Sequence, residues 1–231
     1  MLFDILSGGN ITDIIVSLVF SMPIILLALS LHETAHGYAA YKLGDPTANS
    51  LGRLTLNPLK HLDPIGFICM LLFGFGWANP VPINTRYFKK PRRDMAMTAL
   101  AGPLSNIALA VIFTVLLRIF YSLIWSFPFQ NEILAQLAFY FLIFLYYGIS
   151  LNVTLAVFNL IPIPPLDGSR ILSAFLPPMV AYKYMKYERV ISIVLMLLLF
   201  VGVLSPLISW LTDLVIKLLL TAGLMRGTFF W

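Results

Sequence analysis

The sequence is short of charged residues. Of its 231 residues, 11% are charged and 60% are hydrophobic, and the mean hydropathy is +0.91. A soluble domain carries about 25% charged residues. The composition therefore excludes an ordinary soluble protein and predicts an integral membrane protein, with apolar blocks that exceed the roughly 20 residues needed to span a bilayer.

Cysteine is almost missing. The single cysteine, Cys69, excludes an intramolecular disulfide and a thiolate zinc site. The first residues, Met-Leu-Phe-Asp, lack the basic region of a signal peptide, so we expect the first apolar block to be retained.

The basic residues are unevenly distributed. Eight of the fifteen lie between Lys42 and Arg93, whereas residues 126–134 and the residues before the first apolar block have none. By the positive-inside rule, this asymmetry predicts an outside N-terminus, a cytoplasmic 42–93 loop and an outside 126–134 loop. The same distribution argues against nucleic acid as a partner, despite the net charge of +5.

Four long apolar blocks are visible, and each is predicted to be helical because only helices satisfy their own backbone in lipid at this length. They cover about Ile11–Tyr41, Met95–Trp125, Ile133–Ile161 and Val190–Leu220. The last block contains Ser205-Pro206, so one kinked span and two shorter helices are both open. The predicted fold is an all-α polytopic membrane protein with about four to five transmembrane helices, formed by residues 1–231 as one membrane domain.

A fifth apolar stretch, Ile65 to Trp77, is too short to span and leads into Asn79-Pro80-Val81-Pro82. Its glycines and prolines disfavour a continuous helix. We predict a re-entrant or hairpin loop over about 65–84; a plain interfacial loop is the alternative.

Histidine is also rare, yet two of the three histidines lie in His32-Glu33-Thr34-Ala35-His36, near the end of the first block. On a helix, the i and i+4 positions share one face, so the two imidazoles can bind one metal ion. Glu33 lies where its carboxylate can act on a water rather than on the metal. With so few His and Glu residues, chance is a poor explanation of the pattern, which predicts a hydrolytic metal centre at the membrane.

A catalytic zinc usually has three protein ligands, so a third is expected. His61, in the basic loop, is interpreted as a solvated histidine. Asp167 follows the third block after three prolines that must break its helix, and the predicted topology puts it level with His32 and His36. Asp167 is therefore the expected third ligand, although an Asp there can instead cap a helix that starts at Gly168.

Three motifs in this order resemble the site-2 protease family of intramembrane zinc metalloproteases, peptidase family M50. They are the His32 to His36 motif, Ala101-Gly102-Pro103-Leu104-Ser105-Asn106, and Asn159 to Pro162 followed by Leu166-Asp167-Gly168. The resemblance spans roughly residues 12 to 175, which would form the catalytic core, with accessory spans over about 188–220. No PDZ or CBS domain is visible, so the chain resembles a minimal member.

The resemblance implies one zinc ion held by His32, His36 and Asp167, with Glu33 as the catalytic carboxylate. It implies that Asn159 lies near the site and orients substrate or water. Asn106 is a second candidate for this role, although helix packing is the stronger interpretation of Asn106. Residues 66–82 resemble the family's substrate-presenting loop, with Gly76, Asn79 and Pro80 as its candidate residues. The implied substrates are membrane proteins with a transmembrane helix, cleaved in or near that helix from the cytoplasmic side of the cell membrane.

Two other classes remain as alternatives. A membrane protease of the CAAX-processing type would need a Glu as third ligand, and only Glu132 and Glu188 remain. A metal transporter would use intramembrane His and Asp for an ion path. It would not need Glu33 between its ligands.

Overall fold

The computed structural model describes residues 11–73, 76, 78–126 and 131–221. Over these ranges the chain is mainly helical. The helices are α1 (Ile11–Lys42), α2 (Thr47–Ser50), α3 (Pro64–Phe73), α4 (Pro91–Ser126), α5 (Glu132–Leu160), α6 (Asp167–Phe175), α7 (Pro178–Lys186), α8 (Glu188–Phe200) and α9 (Ser205–Thr221). Two 3-10 turns lie in the connections between helices: Pro58–Lys60 between α2 and α3, and Thr85–Tyr87 between α3 and α4.

Three of these helices are long and apolar enough to cross a membrane: α1 from Ser17, α4 and α5. They match the first three predicted apolar blocks and confirm an all-α membrane protein. If the pair α8 and α9 forms one further span, the described residues contain four, the lower end of the predicted range.

The fourth apolar block forms two helices. A bend of 82° separates α8 from α9. Gly202 lies in the break with a φ of +79°, a conformation that is easy for glycine and unfavourable for other residues. The two-helix alternative is therefore the observed one.

Arg118 lies in the apolar helix α4, where hydrogen bonds to another helix accommodate its charge. Its Nη2 donates to the carbonyl oxygens of Leu219, at 3.3 Å, and Leu220, at 2.6 Å. These carbonyls lie at the end of the described part of α9. The arginine thus fixes α9 against α4.

The break between α5 and α6 brings the end of one helix against the start of the next. Helix α5 stops at Leu160, a six-residue turn with three prolines follows, and α6 begins at Asp167. A Cβ on Gly168 would lie 2.5 Å from the carbonyl oxygen of Ile161, so only glycine permits the start of α6 to lie this close to the end of α5. The predicted helix break before Asp167 is confirmed.

The loop between α2 and α4 differs from the prediction in its first part. Residues 64–73 form a regular helix, because Pro64 starts it, where proline is tolerated, and Asp63 Oδ1 accepts the N–H of Gly66 at 2.8 Å. Residues 78–84 are extended, and Ala78 forms one antiparallel bridge with Leu62. Residues 74, 75 and 77 of the predicted loop lie outside the described residues.

Helix α4 is the centre of the bundle and packs against α1, α5 and α6. The apolar cluster between α4, α5 and α9 consists of Leu109, Ala110, Phe113, Leu145, Ile149, Val153, Val157 and Ile216. This cluster packs the three helices together.

Candidate metal centre

Three side-chain atoms from two helices converge on one point. Nε2 of His32 and Nε2 of His36 lie 3.0 Å apart, and each lies 3.2 Å from Oδ2 of Asp167. Among the residues that the structure describes, this is the one group of three or more His, Cys, Asp or Glu side chains close enough to hold a metal ion. Asp167 is not a helix cap, since Leu166 takes the N-cap position of α6.

The three atoms fit a tetrahedral zinc ion. With zinc bonds of about 2.0–2.1 Å, neighbouring ligand atoms are expected about 3.3–3.4 Å apart. Oδ2 of Asp167 is buried and accepts no well-formed hydrogen bond, although both imidazoles are near it. Three lone pairs that face one another repel, and a cation between them removes that repulsion.

Each imidazole is oriented by a partner on its other nitrogen. Nδ1 of His36 donates to the carbonyl oxygen of Thr98 at 2.8 Å, and Nδ1 of His32 lies 2.6 Å from Oδ1 of Asn106. Such partners fix the tautomer and leave Nε2 free for a metal. The Thr98 carbonyl was not predicted, because a backbone group gives no signal in a sequence.

Gly102 makes room for the two imidazoles. A Cβ at this position in α4 would lie 2.5 Å from Cε1 of His36 and 2.6 Å from Cε1 of His32. The first and second spans therefore approach each other closely at the ligands themselves.

Asp167 is held in place through its own helix, α6. At the other end of α6, Arg92 donates to the carbonyl oxygens of Ser173, at 2.7 Å, and Leu176. Arg92, which the sequence did not single out, thus ties α6 to the start of α4.

Glu33 contributes no atom to the ligand group and is bound by the extended segment 78–84. Its Oε2 accepts the backbone N–H of Val81 at 2.8 Å. The same segment donates from Asn79 to the carbonyl of His61 at 2.7 Å and from Asn84 to Oδ2 of Asp45 at 2.6 Å. Glu33 is thereby fixed by a segment that is itself anchored on both sides.

His61 was wrongly interpreted as a solvated loop histidine. Its side chain is 2% exposed, and its Nε2 donates to the carbonyl oxygen of Thr55 at 2.7 Å. The hydroxyl of Thr34 donates to the same oxygen, also at 2.7 Å. His61 is therefore part of the internal scaffold behind the motif and lies outside the ligand group.

The remaining predicted residues lie in varied surroundings. The side chain of Asn159 donates to the carbonyl of Leu155 in its own helix at 3.0 Å. Gly76, Asn79 and Pro80 are exposed, and the carbonyls of the latter two accept from Arg53 at 2.7 and 3.3 Å. Asn106 is fully buried and contacts His32, so it has no exposed surface that a substrate could touch.

Comparison with known proteins agrees with this geometry. The model of peptidase family M50 matches residues 19–202. The chain belongs to peptidase family M50. The three residues that converge here lie within the matched range, and together with this membership they make zinc the cofactor of the centre.

Several relatives of this M50 member are similar over most of its length. The "Putative zinc metalloprotease YwhC" of Bacillus subtilis is 44% identical over 186 residues, which cover 80% of this chain and 82% of the relative. Two proteins of the same description are Rip2 of Mycobacterium tuberculosis H37Rv, 30% identical over 90% of this chain and 80% of the relative, and MJ0611 of Methanocaldococcus jannaschii, 31% identical over 71% and 80%. No solved structure matches the chain.

Proposed function

We propose that this M50 member is an intramembrane zinc metalloprotease that hydrolyses peptide bonds in or near the transmembrane helices of membrane proteins. The observation that carries the proposal is the position of the ligand set. His32 and His36 lie on a helix long and apolar enough to span a membrane, and Asp167 follows directly after another.

When bound, zinc supplies Lewis-acid chemistry: it polarises a scissile carbonyl and makes water acidic enough to lose a proton near neutral pH. Glu33 takes the proton of the attacking water and later delivers it to the leaving amine. The Val81 N–H holds one carboxylate oxygen, Oε2, and leaves Oε1 for this proton transfer. Asn159 remains a candidate to orient substrate or water.

Water must reach a centre surrounded by apolar helices. The side chain of Asp167 is 19% exposed, against 7% for His32 and 8% for His36. We propose that water enters on the Asp167 side, which is the cytoplasmic side if the basic 42–93 loop faces the cytoplasm. The lipid bilayer and a membrane-embedded substrate are then the partners of this site.

The extended segment 78–84 is a candidate surface for an unwound substrate strand. Its amides at Asn79, Val81 and Asn84 already donate within the protein, and positions 80 and 82 are prolines without an N–H. A substrate strand added here would therefore pair mainly with carbonyl groups of the segment. Asn79 and Pro80 keep their proposed role on that exposed edge, and Gly76 keeps its proposed role before the segment.

Two observations favour this proposal over the alternatives. Glu188 pairs with Arg170 at 2.6 Å, and Glu132 lies in the first turn of α5, so neither Glu joins the two histidines. A transporter would not need a carboxylate such as Glu33 held beside its ligands by a separate backbone donor.

Metal removal tests the proposed function. The protein is reconstituted in liposomes with a model substrate that has one transmembrane helix, and the product ends are mapped by mass spectrometry. We expect cleavage within or beside that helix, its loss after treatment with a zinc chelator, and its return when zinc is restored. Cleavage that persists without zinc, or zinc flux across the liposome membrane without cleavage, would contradict the proposal.

Removal of the Val81 N–H tests the role of the segment in positioning Glu33. Val81→Pro deletes this donor, whereas Val81→Ala keeps the donor and removes most of the side chain. A hydrogen bond to a charged group is worth about 1.5–3 kcal/mol, so Val81→Pro should lower kcat roughly 10- to 100-fold with zinc retained. Equal losses in both variants would mean that packing, rather than the hydrogen bond, is what matters.

A further inference from the structure

An unbroken series of hydrogen bonds connects a backbone carbonyl in α5 to the imidazole of His32. Nδ2 of Asn152 donates to the carbonyl oxygen of Gly148 at 2.8 Å. Oδ1 of Asn152 accepts from Nδ2 of Asn106 at 3.1 Å, and Oδ1 of Asn106 lies 2.6 Å from Nδ1 of His32. Both asparagines are 0% exposed, so the series lies entirely inside the protein.

The carbonyl of Gly148 sets the direction of every bond in this series, because a carbonyl only accepts. Asn152 must turn its NH2 group toward that carbonyl and its oxygen toward Asn106. Asn106 must then donate to Asn152, which leaves its own oxygen for His32. His32 consequently carries its proton on Nδ1, and its Nε2 keeps the lone pair that faces Asp167 and His36.

The opposite orientation of Asn106 is unfavourable. Its oxygen would then face Oδ1 of Asn152 and the carbonyl oxygen of Ala28, which now accepts from Nδ2 at 3.3 Å. Burial of polar groups without a hydrogen-bond partner is costly. With no water-exposed side to relieve this cost, the buried pair has one favourable orientation.

We propose that Asn106 and Asn152 are positioning residues that hold His32 in the Nδ1-protonated tautomer, with its Nε2 aimed at the zinc. The inference rests on the zinc centre of the proposed function and adds two residues to it, from α4 and α5. Neither contributes a ligand atom. His36 obtains the same orientation from the carbonyl of Thr98.

Zinc affinity, measured without substrate by competition with a chelator, tests this proposal. Loss of a second-shell partner typically weakens metal binding by 10- to 100-fold. We expect a loss of this size in Asn106→Leu, a loss of up to about tenfold in Asn152→Leu, and no further loss when the two changes are combined. The combined variant matches Asn106→Leu because Asn152 acts only through Asn106.

The control is Thr114→Val. Thr114 is a buried residue of α4 whose hydroxyl donates to the carbonyl of Ala110 in the same helix at 2.8 Å. This change removes one buried hydrogen bond away from the ligands, so zinc affinity should stay as in the parent protein. Asn152→Ala, which adds no bulk, is the second variant if Asn152→Leu does not fold.

Unchanged zinc affinity in a folded Asn152 variant would overturn the proposal and leave the asparagines as helix-packing residues. Losses that add in the combined variant would also overturn it. Because no substrate is used, this result is independent of the cleavage assay: a protein that binds zinc normally and cleaves nothing contradicts the proposed function, not the positioning role.

Discussion

Replacement of Glu33 by Gln is expected to abolish cleavage while zinc stays bound. Glu33 contributes no atom to the ligand group, so its neutral isostere leaves His32, His36 and Asp167 in place. Gln accepts a hydrogen bond from Val81 as Glu does, yet it cannot take a proton from water at neutral pH. General base catalysis contributes about 10²–10⁴-fold, and kcat should fall by at least this factor. Zinc content and the rate of substrate cleavage are the two measurements.

The matched control is Glu132→Gln, the same change at an exposed position in the first turn of α5. It should leave both zinc content and cleavage unchanged. Cleavage retained by Glu33→Gln would show that another group acts as the base, and zinc lost from it would show that Glu33 supports the ligands instead.

The second large effect is expected from a single methyl group at Gly102. In Gly102→Ala, the new Cβ overlaps the rings of both ligand histidines, whose Cε1 atoms would lie 2.5 and 2.6 Å away. The rings cannot withdraw without breaking a hydrogen bond, because Nδ1 of each is bound to α4 itself, by Asn106 or by the carbonyl of Thr98, one turn on either side of Gly102. Overpacking in a core typically costs about 1–3 kcal/mol. If the clash displaces the two imidazoles from their metal-binding positions, zinc affinity falls by about 10- to 100-fold, and cleavage falls at least in proportion.

Gly37→Ala is the control for added bulk beside the site. Gly37 follows His36, and its new Cβ would lie 2.6 Å from Cδ2 of Leu54, the far end of a flexible side chain, and 3.0 Å from Cγ1 of Val81, neither of which is a ligand. Its zinc affinity should stay near that of the parent protein. Equal losses of zinc in both variants would show that the centre responds to any crowding of α1, rather than to contact with its ligands.

Most of the helical framework was predictable because its causes are local. Apolar blocks must be helical in lipid, and the prolines before Asp167 must end a helix; both features follow from residues that are near one another in the sequence. The helix over residues 64–73, which the prediction of a loop did not specify, has a local cause as well. Pro64 begins it, and Asp63 binds the N–H of Gly66.

The surroundings of the site were less predictable because they depend on backbone groups and on distant contacts. The N–H of Val81 and the carbonyl of Thr98 have no signature in a sequence, since every residue except proline carries the same groups. His61 gave the wrong interpretation for a related reason. Its basic and polar neighbours predict exposure, but the fold buries it. Its Nε2 donates to the carbonyl of Thr55, and its own carbonyl accepts the N–H of Asn79.

The sequence by itself determined a helical membrane protein with a two-histidine motif, because helical periodicity alone puts positions 32 and 36 on one face. Only the tertiary structure decided how the centre is completed and held. Asp167, Gly102 and Asn106 contact the histidines from helices far apart in the sequence, and Asn152 joins them through Asn106. These contacts arise when α4 packs between α1, α5 and α6. The direction of each hydrogen bond then follows from buried carbonyls that can only accept, a constraint that exists once the helices have met.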